Sequence, residues 1–299
     1  MKNELISALE KAKIEYKLCE PMKLHTSFKI GGNADIFVLP DSSEKCVSAI
    51  SFCKQFDVPY IIIGKGSNLL VNDDGYRGAV ICVSTHMSQI QLVGEDKIYC
   101  EAGASLASVC NFAFENALTG LEFAYGIPGN IGGAISMNAG AYGGEMQDVV
   151  CECEYADDSG RLIKLKNNQL DFSYRHSFFT GRPYCIVNSL LQLKKGETKQ
   201  IRDTMNELLN RRKEKQPLEY PSAGSTFKRP EGSYASLLVD KCGLKGFRVG
   251  DAQVSEKHAG FVINRGNATC SDVLNLMEQV TKIVFEKTGF VLEPEVKLI

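Results

Sequence analysis

The sequence predicts an α+β protein built of segregated lobes, and three observations predict it. Helical-period apolar faces alternate with β-branched runs and hairpin signals in an irregular order, not in the regular strand–helix repeat of a doubly wound sheet. A polar segment, Lys194-Lys195-Gly196-Glu197-Thr198-Lys199-Gln200, interrupts this order and marks a candidate domain boundary. The chain has 299 residues, long enough for two domains that each bury a core. The boundary gives residues 1–195 as one region. Residues 196–299 form a C-terminal domain.

Taken in order, Leu5, Ile6, Leu9 and Ala12 mark one face of an opening helix. His25 to Asn33 reads as a structured loop and Ala34 to Val38 as a strand. Ser42 or Ser43 caps a helix that buries Cys46, Val47, Ile50 and Cys53. The run Tyr60-Ile61-Ile62-Ile63 reads as a buried strand. Residues 69–71 and 79–83 are further strands, parted by the turn residues Asn72-Asp73-Asp74-Gly75. Segments 89–92 and 97–100 suggest a hairpin, and Leu106, Val109, Cys110, Ala113 and Ala117 a helical face. Strands return near 149–155, 162–165 and 185–193, then a helix through Ile201, Met205, Leu208 and Leu209 up to Pro217. A last helix, capped by Ser271, buries Val273, Leu274, Met277, Val280 and Val284, and a short strand over 296–299 ends the chain.

Composition excludes several functions. Lys plus Arg is 34 and Asp plus Glu 36, so the formal net charge is −2. That balance argues against a protein that coats nucleic acid or anionic membrane. No apolar run approaches the roughly 20 residues that span a bilayer, and acidic residues interrupt the N-terminal stretch where a signal peptide has its apolar core. Eleven cysteines, an odd number scattered from Cys19 to Cys270, read as reduced thiols in a cytoplasmic protein. Cys151 and Cys153 read as same-face residues of a strand, with a redox pair as the alternative. No HExxH, CxxC or EF-hand loop occurs, so no metal site is expected. His25 and His258 lie in polar, glycine-containing loops and are candidates to line a site; His86 reads as a surface residue.

Glycine is the informative excess. Eight of the 25 residues from Gly120 to Gly144 are glycine, far above an average of about 7%. In Gly126-Ile127-Pro128-Gly129-Asn130-Ile131-Gly132-Gly133-Ala134 and on through Asn138 and Gly140, small residues persist far beyond the needs of one turn. A loop moulded around a flat ligand with phosphate oxygens accounts for them better than a tightly packed loop between lobes. A second block, Gly64-Lys65-Gly66-Ser67-Asn68, follows the run 60–63. It reads equally as an anion cradle of backbone N–H groups or as a glycine-rich hairpin turn. It is neither a Rossmann fingerprint, since Leu69 and a strand follow it, nor a Walker loop, since no Gly-Lys-Ser/Thr occurs. Tyr174-Arg175-His176-Ser177 offers a bidentate anion donor. Gly224-Ser225-Thr226-Phe227-Lys228 offers hydroxyls beside a cation, and Glu293-Pro294-Glu295-Val296 a carboxylate entering a strand. Taken singly, each of these three has an ordinary reading: a surface arginine, a capped turn, an exposed acid.

Together with His25-Thr26-Ser27-Phe28, these blocks in this order resemble the UDP-N-acetylenolpyruvoylglucosamine reductase (MurB) family over nearly the whole chain. The resemblance implies a vanillyl-alcohol-oxidase-type FAD-binding fold of two lobes, a small one over about 1–85 and a second over about 86–195, plus a C-terminal α/β substrate-binding domain. It implies FAD and NADPH as cofactors and a UDP-sugar carrying an enolpyruvyl ether as substrate, reduced for peptidoglycan synthesis in the cytoplasm by a monomer. It implies FAD contacts at Gly64, Lys65, Gly66, Ser67, Asn68, Gly126, Pro128, Gly129, Asn130, Gly132, Gly133, Ala134, Asn138 and Gly140. Arg175, Ser225 and Glu295 become the catalytic residues, with Arg175 and Ser225 also touching substrate. Lys228 joins Arg175 and Ser225 as a substrate contact, an assignment of our own. The chain is similar to the shorter subgroup, which lacks a tyrosine-bearing insertion that clamps the substrate diphosphate. Lys297 stands where the family often has Arg. A flavin oxidase on the same fold is the nearest rival, although no histidine for covalent tethering lies in 64–68 or 126–140. A flavin-storage module without turnover is another.

Overall fold

The structure, a computed structural model, describes residues 2–299. The chain divides into two compact units. The N-terminal segment through Leu18, Asp35–Lys65 and Arg77–Arg211 form the first. Cys19–Ala34, Gly66–Tyr76 and Arg212–Ile299 form the second. The polar segment 194–200 lies inside the first unit: Lys194–Lys195 pairs with Leu118–Thr119 before the next helix begins.

Two sheets organise the first unit. The strands Glu15–Pro21, Asn33–Leu39, Tyr76–Cys82 and Tyr60–Ile63 lie in that spatial order. Tyr60–Ile63 runs parallel to Ala79–Cys82 at the sheet edge, so only Ile63 is buried. The expected buried strand is an edge strand, because a β-branched run reports strand propensity but not its position in a sheet. A second, antiparallel sheet has the order Leu162–Lys166, Val150–Ala156, Cys185–Gln192, Lys97–Glu101, Ile90–Val93. A bulge at Cys151 breaks the alternation of Val150–Ala156. Cys153 is therefore fully buried while Cys151 is half-buried, and the two do not share a face as expected.

Helix α1 (Lys2–Lys11) buries Leu5 and Leu9, and packs on α2 (Ser43–Gln55). Ser42 caps α2, its hydroxyl accepting from Lys45 N at 3.3 Å. The buried face of α2 is Cys46, Ala49, Ile50 and Cys53, with Val47 at its margin. Helix α3 (Leu106–Glu115) is capped by Ser105, and the short α4 (Ile131–Ser136) lies against strands 97–101 and 185–192. One continuous apolar core joins these elements.

In the second unit an antiparallel sheet has the order Ser222–Ser225, Phe261–Asn264, Ala252–Val254, Arg248–Val249. Between α5 (Thr198–Lys215), which spans the boundary in sequence, and the final helix lies α6 (Ala235–Lys241), which periodicity did not reveal. The final helix, α7 (Cys270–Thr288), buries Val273, Leu276, Met277, Val280 and Val284. Leu276 thus replaces the expected Leu274, which is 37% exposed. The cap is Thr269, not Ser271: its hydroxyl accepts from Asp272 N, and Asp272 returns a bond to Thr269 N. Ser271 N instead donates to Asp73 of the 72–75 turn, as does Cys270 N. Strand Lys297–Leu298 pairs in parallel with Leu69–Leu70.

Candidate active site

The small-residue loop of the first unit is laced to residues 102–106. Ile131 N donates to Ala104 O, Gly132 N to Ala102 O, and Leu106 N to Gly129 O, at 2.9, 2.9 and 3.1 Å. Its glycines fall into two groups. A Cβ on Gly132 would stand 2.9 Å from Ala102 Cβ, one on Gly140 2.8 Å from Glu145 Cβ, and one on Gly144 2.6 Å from the Phe123 ring. Close packing within the chain accounts for those three. A Cβ on Gly133 would meet nothing within 4 Å. Packing within the chain does not require glycine there, whereas close approach of a ligand to the backbone does.

Asn130 marks where the two glycine blocks touch. It is 5% exposed and donates from Nδ2 to Gly103 O at 2.6 Å. Its Oδ1 is buried with no partner among the described residues. A Cβ on Gly64 would stand 3.1 Å from that oxygen. A buried acceptor left unpaired costs about 1–3 kcal/mol, and a ligand with hydroxyl or N–H donors would satisfy it.

The same loop holds the arginine turn. Asn138 is fully buried, with Nδ2 donating to Glu145 Oε2 and Ser173 O, and Oδ1 accepting from Gln147 N. Ser177 Oγ donates to Ser136 O at 2.7 Å. Arg175 sits at the tip of a tight turn closed by the Ser173–His176 bridge, with φ +54° and Nη2 3.5 Å from Gly140 O. Its guanidinium also lies 5.2 Å from the Tyr174 ring centroid.

In the second unit four of the sequence blocks converge. Ser27 N donates to Gly66 O, and Ser27 Oγ to Ser222 O at 2.6 Å. Asn68 Nδ2 donates to Glu295 O, and Lys297 N to Asn68 O. Glu295 N donates to Thr226 O, and Lys228 N to Glu293 O. Gly66, with φ +62°, passes so close to His25 O that a Cβ would stand 2.1 Å from it. Ser225 ends its strand after a bulge at Gly224, which has φ +79°. Thr226 Oγ1 turns inward to accept from Val262 N, and the Ser225 hydroxyl takes no part in the bonds that hold this turn. Lys228 Nζ reaches Glu293 Oε2 at 3.3 Å, an exposed and therefore weak pair.

Two polar residues of these blocks had no assigned role in the sequence reading. Ser27 and Ser177 each tie one block to another through a buried or half-buried hydroxyl. No sequence signal separates them from surface serines. Of the candidate histidines, His25 pairs with Glu20 Oε1 at 2.8 Å. His258 accepts from Gly260 N on Nδ1 and packs edge-on to Phe261, and burial lowers its pKa. It serves the turn as a neutral ring. His86 is exposed beside Glu15. No cluster of three or more His, Cys, Asp or Glu suited to a metal occurs among the described residues.

Comparison with known proteins defines first the class. A family model of the FAD binding domain matches residues 34–166, and the fold is shared at 16% identity and a TM-score of 0.52 with a berberine bridge enzyme variant, over 65% of this chain and 44% of that one. The chain is an FAD-containing oxidoreductase on the vanillyl-alcohol-oxidase-type fold. A second model, the C-terminal domain of UDP-N-acetylenolpyruvoylglucosamine reductase, matches residues 216–299. A reductase of that name from Caldanaerobacter subterraneus subsp. tengcongensis is 50% identical over 94% of this chain and 93% of its own. One from Clostridium novyi is 48% identical over 99% and 95%. The crystal structure of the Thermus caldophilus MurB reductase superposes with a TM-score of 0.81 at 34% identity, over 95% of this chain and 98% of that one. The chain belongs to the UDP-N-acetylenolpyruvoylglucosamine reductase (MurB) family.

Proposed function

We propose that the protein uses NADPH to reduce the enolpyruvyl ether of UDP-N-acetylglucosamine to UDP-N-acetylmuramate, a step in peptidoglycan precursor synthesis in the cytoplasm, and so serves cell-wall growth, cell shape and division. The observation that carries this reading is the convergence of distant blocks. In the second unit Asn68 bonds Glu295 and Glu295 bonds Thr226, next to Ser225, while Ser27 bonds Gly66 and Ser222 of the same blocks. Asn138 and Ser177 similarly join the small-residue loop to the Arg175 turn in the first unit. Among the described residues no helix is long and apolar enough to cross a membrane.

In this reading residues 1–195 hold FAD and 196–299 bind the substrate, which the positions of the two family models support. FAD, when bound, supplies the hydride chemistry. The loops 64–68 and 126–140 would hold it: the open backbone face at Gly133 admits close approach, and Asn130 Oδ1 accepts a donor. Addition of hydride to the enolpyruvyl group leaves negative charge on the substrate carboxylate side, which fixed donors must stabilise. Arg175 supplies planar paired donors for it. Ser225 passes a proton to the adjacent carbon, and as a weak acid it serves a strongly basic carbon or relays from a neighbour. Glu295 stabilises the same charge only as a protonated or hydrogen-bonded group, since a bare carboxylate repels it. Lys228 holds a substrate carboxylate or phosphate.

The test is the visible spectrum of the FAD-loaded protein without oxygen. NADPH should bleach the flavin, and the enolpyruvyl UDP-sugar should restore it. Recovery with oxygen alone and not with that sugar would make the protein an oxidase and end this reading.

A further inference from the structure

Arg175 occupies a backbone conformation that glycine, asparagine or aspartate adopts with least strain. Its φ is +54°, at the tip of the turn closed by reciprocal Ser173–His176 backbone bonds of 3.2 and 3.1 Å. Such strain persists only where the surroundings over-determine it. Two ties do so. On one side of the tip, Ser173 O accepts from Asn138 Nδ2 at 3.1 Å. On the other, Ser177 Oγ donates to Ser136 O at 2.7 Å, and Ser177 is itself fully buried. Asn138 takes the same left-handed conformation, with φ +44°, which asparagine tolerates, and both its side-chain polar atoms are used, on Ser173, Glu145 and Gln147. Beyond Ser177 the chain is held by packing: Phe178 and Phe179 meet edge-on at 5.4 Å, and both lie against Tyr155. The turn is thus bolted at both feet to the small-residue loop, and the arginine side chain is what the bolts present.

We infer that Asn138 and Ser177 are positioning residues for Arg175, acting on the substrate-reducing half of the reaction through the turn that carries it. The inference rests on the role of Arg175 proposed above. It gives the Asn138 side chain a different task from a direct FAD contact, since its donors and acceptor are spent within the protein. Loosening either bolt lets the guanidinium drift, and a displacement of about 1 Å in a positioned group can cost on the order of 100-fold in rate.

The test is rapid mixing of the FAD-loaded protein without oxygen, with the two halves read separately. Ser177→Ala should keep the flavin spectrum and bleach with NADPH at the wild-type rate. Its reoxidation by the enolpyruvyl UDP-sugar should slow by about tenfold or more. Placed in an Arg175→Ala background, Ser177→Ala should add no further slowing, because the group it positions is gone. A merely structural role would slow both halves, or would add to the Arg175→Ala defect; either result overturns the inference. Arg175→Ala reoxidising at the wild-type rate would remove the proposed role of Arg175, and this inference with it, and the single variant reports that separately.

Discussion

Ser225 follows a left-handed glycine, and Thr226, its neighbour, spends its hydroxyl on Val262 N. In the proposed mechanism these two adjacent hydroxyls divide, Thr226 holding the turn and Ser225 serving the proton transfer. From the sequence any hydroxyl of the 222–226 loop was a candidate donor; the structure spends the Thr226 hydroxyl on Val262 N, and the family resemblance, not the bonding, selects Ser225 over Ser222. Ser225→Ala should therefore fold, hold FAD and accept hydride from NADPH at the normal rate, while reoxidation by the enolpyruvyl UDP-sugar falls by about 100-fold, the scale of losing a positioned proton donor. Equal loss in both half-reactions, followed by absorbance, would remove the assignment. The expected position of the helix cap missed by two residues for a related reason. Thr269 and Ser271 are both competent, and a cap is chosen by the backbone that precedes the helix.

Among the elements, the small-residue loop from Gly126 to Gly144 is the most legible in sequence and the least uniform in structure. Composition shows that the backbone is closely approached but not by what. The approach is by protein at Gly132, Gly140 and Gly144, while a Cβ at Gly133 meets nothing within 4 Å. The difference is measurable. Gly132→Ala should destabilise the fold by about 1–3 kcal/mol through overpacking against Ala102. Gly133→Ala lies in helix α4, where alanine is favoured over glycine by about 1 kcal/mol, so flavin-free protein should melt no lower than wild type. Its affinity for FAD, followed by quenching of flavin fluorescence, should nonetheless fall by about tenfold or more (roughly 1.4 kcal/mol). Unchanged affinity would mean that FAD does not approach the backbone at this glycine. Helix α6 was missed because a helix of seven residues shows fewer than two full turns of periodicity.

For the whole molecule, the cysteines are the most direct probe of packing. All eleven are free thiols, and of them only Cys19 is exposed. Burial pushes the Cys53 and Cys100 thiols up to about 12, so at pH 8 almost no thiolate exists at either. Cys46 and Cys185 lie with sulfurs 3.1 Å apart, both inaccessible in the core of the first unit. Native protein treated with a thiol reagent at pH 8 should label Cys19 rapidly, Cys151 slowly and the buried thiols only on unfolding, as read by mass spectrometry. Rapid labelling of Cys53 or Cys100 would mean that the core opens far more readily than its packing implies.

By itself the sequence determined the mixed fold class, most helices and strands, the ordered blocks and their family resemblance, because periodicity, turn chemistry and short motifs are local properties of a chain. The buried cysteines of α2 and most of the faces of α3 and α7 were readable for the same reason, 3.6-residue spacing projecting one face inward, while Ala117 falls beyond the end of α3 and Leu276 is buried in α7 where Leu274 was expected. Only the tertiary structure decided that Tyr60–Ile63 is an edge strand, that Asp73 receives the start of α7, and that the bulge at Cys151 breaks its strand. It alone tied Asn138 to Ser173 and Asn68 to Glu295, residues 35 and 227 positions apart. Such pairings depend on which surfaces meet when the chain collapses, and no local preference of either residue encodes its partner.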